Sequence, residues 1–121
     1  MPLEVYKLIH IIGIFLILVP LGGIILHVMN GGTRNYPNRK FAAITHGIGM
    51  VLTLVAGFGM LARLGIMSSL PVWVIIKLLF WFNLGVLPFF AYRNHARAKY
   101  YWMMTIVISG LAAFLAVFKP F

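Results

Sequence analysis

The sequence has no cysteine and no aspartate, and its single carboxylate side chain is Glu4. Without Cys there is no disulfide framework, thiolate metal site or Cys nucleophile. A lone carboxylate excludes carboxylate dyads, Asp-oriented triads, side-chain Ca²⁺ or Mg²⁺ cages and most glycosidase chemistry. Charge of either sign is scarce. Only 9% of the 121 residues are charged, against roughly 25% in a soluble domain. The 63% hydrophobic content excludes a disordered chain. A chain of this length is one domain by default.

Long apolar runs are what the chain has instead. They cover about residues 5–29, 41–64, 72–92 and 100–118. Each approaches the ~20 residues that cross a hydrocarbon core. They are continuously apolar, whereas barrel strands alternate, so helices are predicted. The first run is too long for a signal-peptide core and follows Glu4 rather than a basic segment, so it reads as a span. Asn30 to Asn38 is a turn-rich loop, Gly65 to Pro71 links the second and third runs, and Arg93 to Lys99 is a basic link. Short links make successive helices antiparallel neighbours. The expected fold is an all-α, up-down-up-down four-helix membrane bundle forming one domain, 1–121.

Charge suggests an orientation. Arg34, Arg39 and Lys40 lie in the first link, and Arg93, Arg97 and Lys99 in the third. Lys7, Arg63 and Lys119 lie on the other side, offset by Glu4. The bias predicts cytoplasmic first and third loops and external termini. The net charge of +9 flanks membrane helices, so anionic lipid headgroups, not nucleic acid, are the expected partners.

The polar residues within the runs are the candidates for function. Depth can be compared at ~1.5 Å of rise per residue. Lys7, His10, Arg63 and Lys77 form an outer layer; His27 and His46 form an inner one. A Lys inside a span costs about 2.5–3.5 kcal/mol on insertion scales, less off-centre. Lys77 therefore either snorkels to the interface, meeting Glu4, or serves an anionic ligand. His10 shares a helix face with Lys7 and is an interhelical hydrogen bonder or a haem or metal ligand. His46 lies on a stripe with Gly49, Thr53, Gly57 and Met60, which suits close packing or cofactor space. His27, near a helix end, suits an interface. Asn83 is expected to hydrogen-bond across helices, and Tyr101, Thr105, Ser109, Ala112 and Ala116 to form a packing face. Trp73 and Trp102 suit interface anchors, and Pro20 with Gly22 and Gly23 suits a kink.

Three segments carry a resemblance: Lys7-Leu8-Ile9-His10-Ile11-Ile12, Arg39-Lys40-Phe41 leading to Leu52-Thr53-Leu54-Val55-Ala56-Gly57, and Trp73-Val74-Ile75-Ile76-Lys77-Leu78. Together they resemble the first three helices of HemJ-type membrane protoporphyrinogen oxidases and their CopD-like and SirB-like relatives. The chain departs from that pattern at Phe82-Asn83-Leu84-Gly85, where the family has a Tyr-His-Gly-like stretch, and lacks the Trp and Arg of the family's first helix. The resemblance implies a four-helix-like core, a b-type haem and oxidoreductase chemistry in which His10 and Lys77 matter. Haem suits the outer layer on chemical grounds as well: iron takes imidazole and propionates take cations. His10 would be the axial ligand, with Lys7, Arg63 and Lys77 nearby; the alternative places haem between His27 and His46. Two other classes stay open. One is a non-catalytic membrane subunit or interaction protein with the same bundle. The other is a carrier of an anion or lipid-like molecule acting as a homo-oligomer.

Overall fold

The computed structural model describes residues 2–118, so the charge at Lys119 lies outside the described residues. It is all-helical. Helix α1 spans Leu3–Met29, α2 Arg39–Leu64, α3 Val72–Arg93 and α4 Ala98–Phe118, with a 3₁₀ turn at His95–Arg97 before α4. All four helices are long and apolar enough to cross a membrane. Large apolar side chains such as Leu8, Phe15, Val55, Leu79 and Val117 point outward from every helix. Such all-round hydrophobicity is what a bilayer accommodates.

The helix ends follow from the turn residues. Gly65 closes α2 at φ 75, and the Ile66 amide bonds back to the Leu61 carbonyl at 3.1 Å. This left-handed ending is cheap only for glycine. Gly31 closes α1 likewise at φ 83, with the Gly32 amide reaching the His27 carbonyl at 2.9 Å. Pro71 stands just before α3, at its N-cap. Helix α1 runs through Pro20 without ending there.

Helix α1 is the centre of the molecule. Its Ile17, Leu21 and Ile25 pack with Leu84, Leu87 and Ala91 of α3 and with Tyr101 and Ile108 of α4. Its contact with α2 is of another kind. A methyl group built on Gly49 would lie 2.7 Å from the Gly13 carbonyl oxygen and from the Ile17 nitrogen. One built on Gly13 would lie 2.8 Å from the Thr53 nitrogen. The two backbones touch, and only glycine at both positions permits it. Small residues at such a crossing let dispersion act over the whole helix length.

Side-chain bonds to backbone carbonyls join α2 to α3. The Trp81 indole N–H donates to the Met50 carbonyl at 3.0 Å, and His46 Nε2–H donates to the Leu84 carbonyl at 3.1 Å. The second has a clear cause. Pro88 lies inside α3, four residues after Leu84, and has no N–H to give to that carbonyl. His46 supplies the missing donor from the neighbouring helix.

Candidate functional site

A cavity of about 590 Å³ lies between the helices, and all four contribute to its walls. Lys7 and His10 come from α1, Thr53 and Met60 from α2, Trp73 and Lys77 from α3, and Ser109 and Ala112 from α4. The remaining lining is almost wholly aliphatic or aromatic, and no carboxylate is among the described residues that line it. The volume falls within the ~300–1,000 Å³ typical of small-molecule sites.

His10 is the best-defined group here. Its Nδ1–H donates to the Thr53 carbonyl at 2.9 Å. A carbonyl only accepts, so Nδ1 carries the proton, and in the neutral ring Nε2 keeps its lone pair. Backbone carbonyls hold the imidazoles of many metal sites in this way, fixing tautomer and ring plane. The close α1–α2 crossing at Gly13 and Gly49 makes the bond possible; Gly57 lies beside the ring, where a methyl would make only ordinary contact with its Cε1 carbon at 3.4 Å.

Lys77 is half-buried, and its ammonium lies 5.8 Å from the Trp73 ring centroid. A cation over an indole face is attracted by the ring quadrupole. Trp73 therefore steadies the lysine within the cavity wall as well as standing near a helix start. Lys77 is also close enough to His10 for the two to interact electrostatically. Lys7 is exposed and stands at the cavity edge. The Thr53 and Ser109 side-chain oxygens, both on cavity-lining residues, are buried without a hydrogen-bond partner.

The structure thus brings Lys7, His10 and Lys77 to one cavity. Arg63 is exposed near the end of α2 and does not line it. His46 is buried outside it, bonded to Leu84. His27 also lies outside. Its Nε2–H donates to the Thr33 carbonyl at 2.8 Å, and its ring stacks on Tyr36 with centroids 3.9 Å apart. Both inner-layer histidines thus have one ring nitrogen engaged with backbone. Asn83 departs from expectation, because its side-chain oxygen is buried without a partner rather than bonded across helices. On α4, Ser109, Ala112 and Ala116 face the cavity, so the small face there leaves space as well as packing.

Met60, on the stripe read as packing or cofactor space, lines the cavity, and so does Trp81, which sequence reasoning did not single out for it. For Met60 the signal was present, since it lies on the Thr53–Gly57 stripe. Among the described residues no three His or Glu side chains gather as a metal cage. Set against models of protein families, curated proteins and solved structures, the chain matches none of them.

Proposed function

We propose that this chain is a multi-pass membrane redox protein that binds haem b in the cavity between its helices. The observation that carries this reading is His10. Its Nδ1–H is committed to the Thr53 carbonyl, so Nε2 is left as a ligand nitrogen in a cavity that also holds two ammonium groups.

The residue set suits the group. His10 would hold the iron through its free ring nitrogen. Lys7 and Lys77 would serve the propionates with charge-assisted hydrogen bonds, with no competing carboxylate among the described lining residues. Met60 is the thioether in the same walls. The largely apolar lining lowers the local dielectric, which strengthens each of these interactions. Haem, when bound, supplies one-electron chemistry; the chain supplies binding, orientation and electrostatics. An oxidoreductase acting on a porphyrinogen is the activity that the HemJ-type resemblance implies, and it centres on the same His10 and Lys77.

The proposal includes an up-down-up-down arrangement. It is supported by the order of meeting partners: Gly59 lies against the Tyr6 ring and Gly49 against Gly13, while His46 reaches Leu84 and Met50 reaches Trp81. It also includes cytoplasmic first and third loops, from the positive-charge bias.

The test is the absorption spectrum of detergent-purified protein made in haem-replete cells. The expected result is a Soret band that disappears or shifts in His10→Ala and weakens in Lys77→Met, with partial recovery in Lys77→Arg. A colourless parent protein, with Lys77→Met at least as stable as the parent, refutes haem binding.

A further inference from the structure

At the opposite end of α1 from the cavity's lysines, three segments converge. The loop after α1 brings Arg34 and Tyr36, the start of α2 brings Arg39, and the end of α3 brings Tyr92. The Tyr36 and Tyr92 hydroxyls are 2.5 Å apart. The Arg34 guanidinium carbon lies 5.6 Å from the Tyr92 ring centroid, and Arg39 is within electrostatic range of the same tyrosine. His27 stacks beneath Tyr36 and holds the loop by its bond to the Thr33 carbonyl.

Two features of this cluster call for an anion. The first is charge. The sole carboxylate side chain, Glu4, lies at the other end of α1, about 35–40 Å away along the helix. No side-chain carboxylate can reach Arg34 or Arg39. Helix α2 also begins here without a side-chain cap or an acidic first turn, so its positive end adds to the field. The second feature is the hydroxyl pair. When two phenols share a hydrogen bond, one donates and the other retains its own O–H for a further acceptor. Two guanidinium groups beside a spare phenolic donor suit the oxygens of a phosphate.

We infer that Arg34, Arg39 and the Tyr36–Tyr92 pair form a binding site for a phosphate-bearing anion. The site stands apart from the cavity and does not depend on what the cavity holds. A phosphate can come from an anionic lipid headgroup or from solution, and the experiment separates the two.

Purified protein is placed in nanodiscs of phosphatidylcholine alone, phosphatidylcholine with one-third phosphatidylglycerol, or phosphatidylcholine with millimolar inorganic phosphate. Thermal midpoints are recorded, and native mass spectrometry counts retained phosphatidylglycerol. The parent is expected to gain stability from phosphatidylglycerol and to retain it. Gain from inorganic phosphate alone would support the site while assigning its ligand to solution. Arg34→Gln should weaken lipid retention about tenfold, as loss of a charge-assisted contact does. Tyr92→Phe, which leaves the net charge unchanged, should weaken it about threefold or more. Arg97→Gln removes an exposed charge near the same end but outside the cluster, and should change little. Equal loss in Arg97→Gln and Arg34→Gln, with none in Tyr92→Phe, would mean diffuse attraction to a basic surface and would overturn the site. So would a parent indifferent to both phosphatidylglycerol and phosphate.

Discussion

Replacing His46 with Leu removes the N–H that serves the Leu84 carbonyl, whose own helical donor is lost to Pro88. A buried acceptor left unmade costs about 1–3 kcal/mol. His46 is 6% exposed, so water cannot readily take its place. The same reasoning predicts a rescue. Pro88→Ala restores a backbone N–H at the position that bonds Leu84 within α3. In that background, His46→Leu should cost no more than about 0.5 kcal/mol beyond its loss of packing. The pair should therefore show a coupling of about 1–2 kcal/mol in a double-mutant cycle. Unfolding in mixed micelles, followed by far-UV circular dichroism, measures all four proteins. If His46→Leu costs the same in the Pro88→Ala background as in the parent, the Leu84 carbonyl is not what His46 serves. If the proposed haem is bound, its spectrum provides a separate readout, because His46 lies outside the cavity and its loss would leave the Soret band in place.

Other outcomes follow from the same contacts. Gly49→Ala should destabilise by about 1–3 kcal/mol, since its methyl would meet three α1 backbone atoms at 2.7 Å, whereas Gly47→Ala, with nothing within 4 Å, should be neutral or stabilising; equal melting of the two would refute the close crossing. Trp81→Phe removes the donor to the Met50 carbonyl and should cost about 1 kcal/mol in the same unfolding assay. Single cysteines at Asn35 and Ser69 test sidedness, because the parent has none. An impermeant thiol reagent on intact cells should label position 69 and spare position 35, and the reverse pattern would invert the proposed orientation.

The four helices were legible because hydropathy over ~20 residues is a one-dimensional signal, and the expected spans agree with the helix ends to within two residues at each boundary. The cavity was legible in part. Depth along a helix follows from residue count, and it groups Lys7, His10 and Lys77, which line one cavity. Depth does not tell which way a helix is rotated, nor how closely two helices meet. Arg63 has the right depth and still turns away from the cavity. His46 shares a face with Thr53, yet its ring is drawn to α3 by a carbonyl that a proline four residues on had left without a donor. That pairing joins residues 38 apart in sequence, and nothing local to either one announces it. Asn83 differs from expectation for a related reason: its side chain reaches the interior without meeting a partner there.

The bond between His10 and Thr53 lies entirely within the first two helices. During synthesis the imidazole can therefore be oriented as soon as α1 and α2 have paired, while α3 is still inside the ribosome. Lys77 follows the last residue of α2 by 13 positions. At ~5–20 residues per second, that is a delay of roughly 0.7 to 2.6 seconds. The nascent hairpin thus holds an aligned nitrogen before Lys77 and the two remaining walls exist. Assembly of the cavity is ordered by the chain itself, with the imidazole set first and the cover added last.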